Sequence, residues 1–217
     1  MTLAEENYLK TIFHLERKLK SEVSTNALAE RMQTRASSVT DMMQKLADKK
    51  MLVYKKYKGV QLTEKGKKAA AYVVRKHRLW EVFLVDKLNF HWDEVHEIAE
   101  QMEHINSVEL IKRLDAFLGH PDFDPHGDPI PDKDGNIKKA EKRLLSELIK
   151  NQIGICVGVK ESSPEYLQYL DKKKISIGTK INVLGKEFFD GSMMIQAGRD
   201  QFFVSKQIAE NLYVQTN

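Results

Sequence analysis

The stretch "VSTNALAERMQTRASSVTDMMQKLADKKMLVYKKYKGVQLT", residues 23–63, decides how this chain folds. Leu28, Ala29 and Met32 recur at helical spacing behind Ser24, a residue suited to cap a helix N-terminus. After the break "TRAS", Val39, Met42, Met43 and Leu46 form the apolar side of a second helix over 38–51. "LVYKKYKGVQLT" (52–63) then reads as two strands about a turn at Lys58-Gly59. Upstream, Tyr8, Ile12, Leu15 and Leu19 mark an opening amphipathic helix. Three helices followed by a basic hairpin predict a winged helix-turn-helix.

In such a motif the second helix enters the major groove, and its N-terminal residues touch base edges. Arg35, Ser37, Ser38, Thr40 and, one turn on, Gln44 are the candidates here. Lys55, Lys56 and Lys58 of the hairpin would meet the phosphate backbone. A protein-interaction module with a solvated lysine hairpin is the alternative, and the charge pattern argues against it. Residues 1–80 hold 18 lysines and arginines against 8 acidic residues, whereas 81–147 hold 8 against 16. A basic front and an acidic middle suggest an anion-binding module joined to a cation-binding one.

Beyond the hairpin the periodicity predicts a long helix over about 64–87 and shorter ones over 93–103 and 108–118. "HPDFDPHGDPIPDKDGN" (120–136) concentrates four of the five prolines, as a linker or ordered loop does. A helix at about 137–150 is expected next. The segments "GICVGVK", "TKINVLGKEF", "SMMIQA" and "QFFVS" then read as strands of a small SH3-like β-barrel. The expected fold is therefore mainly α with small β, in three domains: a winged helix-turn-helix (1–72), a helical metal-binding and dimerisation domain (73–136) and a linker helix with the SH3-like domain (137–217).

Hydrophobic content of 41% and charged content of 30% are those of a soluble globular protein. The opening residues carry no secretory signal, and the longest apolar stretch, "IGICVGV" (153–159), is too short to span a bilayer. The single cysteine, Cys156, excludes an intrachain disulfide and a cysteine-based zinc cluster, and a reducing, cytoplasmic setting fits best.

"HEIAEQMEHI" (96–105) concentrates the site chemistry. On a helix, His96, Glu100, Glu103 and His104 would share one face, with Ile98, Met102 and Ile105 on another. "HRLWE" adds His77 and Glu81 one turn apart, and His77 falls on the apolar row of Val73, Trp80 and Leu84, where it needs a buried partner. A zinc-protease motif requires a second histidine where Glu100 stands, so that reading fails. Carboxylates and imidazoles without thiolate favour Mn²⁺ or Fe²⁺. Like charge on Glu100 and Glu103 is expected to repel until a divalent ion removes the repulsion. Two rivals are a DNA-binding regulator that senses an organic ligand, its His/Glu face structural, and a metal-dependent hydrolase, for which no nucleophile or acid pair is present.

"NYLKTIFHLE", "LTEKGKKAA", "RKHRLWE", "VHEIAEQMEH" and "DPHGDPIP", with the helix-turn-helix and the SH3-like tail, cover nearly the whole chain. Together they resemble the diphtheria-toxin-repressor family of metal-dependent transcriptional regulators. The resemblance implies a non-enzymatic repressor of metal-uptake genes, a homodimer on a pseudo-palindromic double-stranded operator, with metal joining the first helix to the dimerisation helices. It implies a primary site of Asn7, Glu100, Glu103 and His104. The iron-responsive branch has cysteine at the position of Glu100 and methionine at that of Asn7, and the manganese-responsive branch has glutamate and aspartate. Glu100 thus points to Mn²⁺ over Fe²⁺, whereas Asn7 matches neither branch. Lys10 stands where some manganese regulators place a glutamate ligand. His77, Glu81 and His96 match an ancillary site. Asp124 and His126 match metal-binding positions of three-domain manganese regulators, which usually have cysteine at the position of Asp124. Glu165 or Glu161 would complete that site from the SH3-like domain.

Overall fold

A computed structural model describes the chain except residues 56–58, 140 and 217. The chain divides into two compact units, with one boundary falling inside a helix between Arg78 and Leu79. The first unit comprises Met1–Arg78, Glu100–Ile111 and Pro131–Ile137.

Helix α1 (Leu3–Leu19) opens on a capping box in which Thr2 and Glu5 satisfy each other's backbone N–H groups. It ends at Lys20, in the left-handed region at φ 54°. Helix α2 (Thr25–Arg31) is capped by Ser24, as its sequence suggests, with Ala27 N–H donating to the hydroxyl at 3.1 Å. Helix α3 (Ala36–Asp48) starts two residues earlier than the apolar pattern indicates, with Arg35 at the N-cap. Strands β1 (Leu52–Lys55) and β2 (Gly59–Leu62) pair antiparallel, Leu52 opposite Leu62. Val23 bridges to Val60 and brings the chain so close that a Cβ on Gly59 would lie 2.6 Å from the Val23 carbonyl oxygen. That approach and a φ of +120° require glycine there. Leu9, Ile12, Leu28, Val39, Met43 and Leu46 are fully buried together in this unit's core.

Besides its apolar stripe, α1 sends polar side chains to its neighbours. Glu5 is completely buried and accepts hydrogen bonds from Lys49 at 2.7 Å and Lys45 at 3.0 Å, both from the C-terminal end of α3. The Lys49 hydrogen bond, aided by Lys45 and Thr2 against the desolvation of burial, holds the Glu5 carboxyl at about 2. Glu16 accepts from the backbone N–H of Leu62 on β2 at 2.6 Å. One helix therefore holds both the helix-turn-helix and its wing.

Helix α4 (Glu64–Leu88), α5 (Val95–Met102) and α6 (Val108–Phe117) follow. The second unit is built on a six-stranded antiparallel, SH3-like sheet of order β3-β8-β4-β5-β6-β7. Its strands are β3 (Arg143–Leu144), β4 (Ile153–Val159), β5 (Lys180–Lys186), β6 (Met193–Ala197), β7 (Asp200–Val204) and β8 (Leu212–Gln215). Helices α7 (Pro164–Lys172) and α8 (Lys206–Ala209) lie between strands in the chain. The described residues of 137–150 do not form the expected helix. Their helical spacing comes from Leu145 and Leu148, both fully buried in this unit's core, and a 3-10 turn over Leu145–Glu147 satisfies the same i, i+3 interval. Ile137 instead packs against the core of the first unit. Among the described residues, no helix is long and apolar enough to cross a membrane.

Replacing Glu5 with Gln should destabilise the chain by about 1.5–3 kcal/mol, the range for hydrogen bonds to charged groups. Urea unfolding followed by circular dichroism measures this, and an unchanged midpoint would mean the Lys45 and Lys49 contacts add nothing.

Candidate metal centre

Three elements of the first unit converge on Glu103, whose side chain has no solvent exposure. Helix α1 supplies Lys10, whose Nζ donates to Glu103 at 2.7 and 2.8 Å and to Glu100 at 2.6 Å. Helix α4 supplies His77, buried as its apolar row suggests, with Nδ1 2.6 Å from Glu103 Oε2 and 3.7 Å from Glu100 Oε2. One donor atom each from His77, Glu100 and Glu103 lies within 4.8 Å of the others. Helix α5 ends at Met102, so Glu103 and His104 stand in the turn beyond it rather than on the continuous face that spacing suggests. Ile105 N–H donates to the Met102 carbonyl at 3.1 Å, tightening that turn.

His104 faces α1. Its Nδ1 lies 2.8 Å from Glu6 Oε2, and its Nε2 lies 3.7 Å from Glu103 Oε1. Lys76, only 2% exposed, approaches the same Glu6 oxygen at 3.4 Å. The Asn7 amide oxygen, one turn from Lys10 on α1, is buried with no hydrogen-bond partner among the described residues. An orphaned buried acceptor one turn from Lys10, which itself holds the two carboxylates, adds with the two imidazoles to the donor chemistry of a divalent-cation site. The expected repulsion between Glu100 and Glu103 is not what the chain exhibits, because the Lys10 ammonium already lies between them.

Glu6, Lys10 as a contact and Lys76 are the members of this cluster that reading along the chain does not pick out. The available signal was weak: Glu6 and Lys10 are one turn apart on a helix whose Tyr8, Leu9, Ile12 and Phe13 are apolar.

A second cluster lies in the other unit, where buried Glu81, Asp124 and His126 place one donor atom each within 4.8 Å. Asp124 Oδ1 accepts from the backbone N–H groups of His126 at 2.9 Å and Asp128 at 3.0 Å, closing a tight Asx turn. Strand β4 holds that turn, since Val159 N–H donates to the His126 carbonyl at 2.9 Å. Gly127, at φ +81°, lies so near β4 that a Cβ would meet the Val157 carbonyl oxygen at 2.0 Å. The His126 ring stacks on Trp92 with Nε2 2.8 Å from the Trp92 carbonyl, and Nδ1 lies 3.7 Å from Glu81 Oε2. Burial disfavours the imidazolium, but Glu81 above all, with Asp124 and the Trp92 carbonyl, raises the His126 pKa to about 9. A cation bound through that ring would have to displace a proton.

His96 Nδ1 lies 3.4 Å from Glu81 Oε1, with its side chain 58% exposed. His77, the third residue of the expected ancillary set, makes its shortest contact with Glu103. Glu161 and Glu165 are exposed, and neither joins a group of three donors among the described residues; Glu81 supplies the carboxylate at His126.

On the helix-turn-helix, Arg35, Ser37, Ser38 and Gln44 are exposed, opposite the buried Val39, Met43 and Leu46. Thr40 is half-buried, its hydroxyl donating to the Ala36 carbonyl at 3.0 Å. Lys55 is exposed, 3.6 Å from Glu22. Lys56 and Lys58 lie outside the described residues.

Three family models tile the chain. "Iron dependent repressor, N-terminal DNA binding domain" matches residues 1–60, and "Iron dependent repressor, metal binding and dimerisation domain" matches 63–132. The FeoA domain matches 143–216. A "probable metal transport system membrane protein" of Chlamydia trachomatis is 51% identical over 70 residues, 32% of this chain and 16% of that protein. The iron-dependent repressor IdeR of Mycobacterium tuberculosis is 36% identical over 126 residues, 58% of this chain and 54% of that protein. The chain thus spans about half the length of IdeR or less of these two relatives. Among solved structures, a manganese-dependent transcriptional repressor in complex with manganese superposes at a TM-score of 0.87 with 34% identity, covering 98% of this chain and 100% of that one.

Changing Gly127 to Ala should cost more than about 2 kcal/mol, because both the positive φ and the β4 carbonyl oppose a Cβ. Thermal unfolding followed by tryptophan fluorescence, with Trp92 stacked on the neighbouring His126, reports it; a wild-type melting curve would show that the turn can shift at no cost.

Proposed function

The chain belongs to the iron-dependent repressor family, and on that premise we propose that it is a divalent-metal-dependent, DNA-binding transcriptional repressor that acts as a homodimer. One observation carries this reading. Helix α1 touches the carboxylate cluster through Lys10 and the recognition helix α3 through Glu5. A change at the cluster is therefore one rigid element away from the residues that would meet bases.

Glu100, Glu103, His77 and His104, with the Asn7 amide oxygen, are the groups that would hold the ion. When bound, the ion supplies two positive charges that neutralise both carboxylates and ligate donors from separate helices. The chain's own residues do the rest. Asn7 would tie α1 to the ion, Glu5 passes the position of α1 to Lys45 and Lys49, and Glu16 fixes the wing through Leu62. Arg35, Ser37, Ser38, Thr40 and Gln44 would read the major groove, with Lys55 on the phosphates and Lys56 and Lys58 proposed beside it. Moving such a switch from 1:99 to 99:1 requires about 5.5 kcal/mol of preference for one state. By linkage, operator DNA should tighten metal binding by the same factor.

We favour Mn²⁺ over Fe²⁺. The donors are oxygen and imidazole nitrogen, and the only thiol, Cys156, is buried on β4 in the other unit. The similarity to a manganese-dependent repressor supports the same choice. Metal-uptake genes are the proposed targets. Exposed Val108 and Leu110 on α6 offer apolar surface for the dimer. The buried Glu81, Asp124 and His126, with His96 nearby, are proposed as a second cation site.

A gel-shift selection on randomised duplex DNA should recover a pseudo-palindromic sequence with Mn²⁺ and not with EDTA. Equal selection in EDTA would remove metal from the mechanism. Glu103→Gln should abolish the Mn²⁺ stimulation while sedimentation and circular dichroism match wild type; stimulation that survives would sink the ligand assignment. Lys55→Ala should weaken binding to all sequences alike and reduce the salt slope by about 1. Loss confined to one operator sequence would contradict a phosphate role.

A further inference from the structure

Lys10 is where a divalent ion would have to be. Its ammonium has three N–H donors, and three carboxylate oxygens lie within 2.8 Å: Oε2 of Glu100 and both oxygens of Glu103. The side chain is only 14% exposed, and Glu103 is wholly enclosed. His77 completes the enclosure, with Nδ1 2.6 Å from one of the Glu103 oxygens that Lys10 uses. The oxygens that would ligate an ion are thus the ones that hold the ammonium.

We propose that Lys10 is the resident cation of the Glu100–Glu103 pair, and that a divalent ion binds there by expelling it. This inference rests on the metal-dependent reading above. Two carboxylates carry a formal charge of −2, of which one ammonium neutralises half and a divalent ion the whole. At equal distance the ion's attraction is twice as large, so it can win. The lysine is a single charge on a flexible four-carbon stem, able to withdraw towards solvent without disturbing the helix that carries it.

The consequence is a threshold. An ion competing with a tethered ammonium binds with its intrinsic dissociation constant divided by the fraction of molecules in which the oxygens are free. A site closed by Lys10 in about 99% of molecules would weaken apparent affinity by about 100-fold. The lysine would then keep trace cations out and keep the buried Glu103 charge paired while metal is scarce. An uncompensated carboxylate at that position would be strongly destabilising.

The test uses the full-length wild-type chain. A brief pulse of acetic anhydride, read by peptide mass spectrometry, measures how accessible the Lys10 amine is, with Lys174 (side chain 80% exposed) as internal reference. In EDTA, Lys10 should label far more slowly than Lys174, and saturating Mn²⁺ should raise its rate about fivefold or more, in line with a shift from closed to open. In parallel, electron paramagnetic resonance of free Mn²⁺ gives binding curves for wild type, Lys10→Met and Glu103→Gln. Lys10→Met should tighten the Glu103-dependent site by about tenfold or more.

Glu103-dependent Mn²⁺ binding with an unchanged Lys10 labelling rate and wild-type affinity in Lys10→Met would overturn the inference and leave the metal reading standing. Glu103-dependent binding in Lys10→Met alone would overturn the metal reading for the natural chain and uphold Lys10 as the permanent occupant. No Glu103-dependent binding in either protein would overturn both. If Lys10→Met does not fold, the wild-type labelling rates decide by themselves.

Discussion

A carboxylate cannot be buried without a counter-charge, and the first unit is arranged around one that is. Glu103 has no exposed side-chain surface, and leaving it alone in a low-dielectric interior would cost several kcal/mol. Lys10 from α1 and His77 from α4 meet that need from two earlier stretches of the chain, separated from Glu103 by 93 and 26 residues. Enclosing this one charge therefore brings three stretches of chain into fixed relation. The same enclosure draws Glu100 in, because the ammonium that serves Glu103 has a donor to spare.

Helix α1 turns that local requirement into something a DNA-reading module can use. Its apolar residues, Leu9 and Ile12 among them, pack in the core. Its polar residues leave in different directions: Glu5 to α3, Glu6 to His104, Lys10 to the carboxylates and Glu16 to the wing. Such contacts are individually modest but directional, and a helix is stiff enough to relate one to another. In the proposed displacement of Lys10, exchanging a tethered ammonium for a doubly charged ion would change what α1 is held by without changing its fold.

The second cluster obeys the same rule by another route. Asp124 spends one carboxylate oxygen on its own turn, Gly127 lets that turn lie against β4, and Trp92 supports the ring of His126. The buried Glu81 lies 3.7 Å from the His126 ring, and its charge draws the His126 pKa upward against the desolvation of burial. In both units a buried acid is paired with a basic side chain of the chain itself, by lysine in one and by histidine in the other.

Much of the fold was legible along the chain, because local patterns carried it. Val39, Met43 and Leu46 mark α3 by period, Ser24 marks the start of α2 by its hydroxyl, and the strands around Gly59 show through their turn chemistry. Residues 137–150 misled, since Leu145 and Leu148 keep a helical interval that a short 3-10 turn also satisfies. The β8 strand gave little sign of itself, because its place between β3 and β4 comes from long-range pairing.

The candidate site divides in the same way. Histidines and glutamates at helical intervals in "HEIAEQMEHI" and "HRLWE" announced themselves by composition and spacing. The sequence alone determined which donors exist, that they are hard oxygen and nitrogen groups, and that a basic winged helix precedes them. Only the tertiary structure decided that His77 meets Glu103, that Glu6 takes His104, that Glu81 joins His126 and that Lys10 fills the space between two carboxylates. The reason is physical. Side-chain chemistry and helical period are local properties of the chain, whereas the partner of a buried charge is set by which distant segment packing brings within about 3 Å of it.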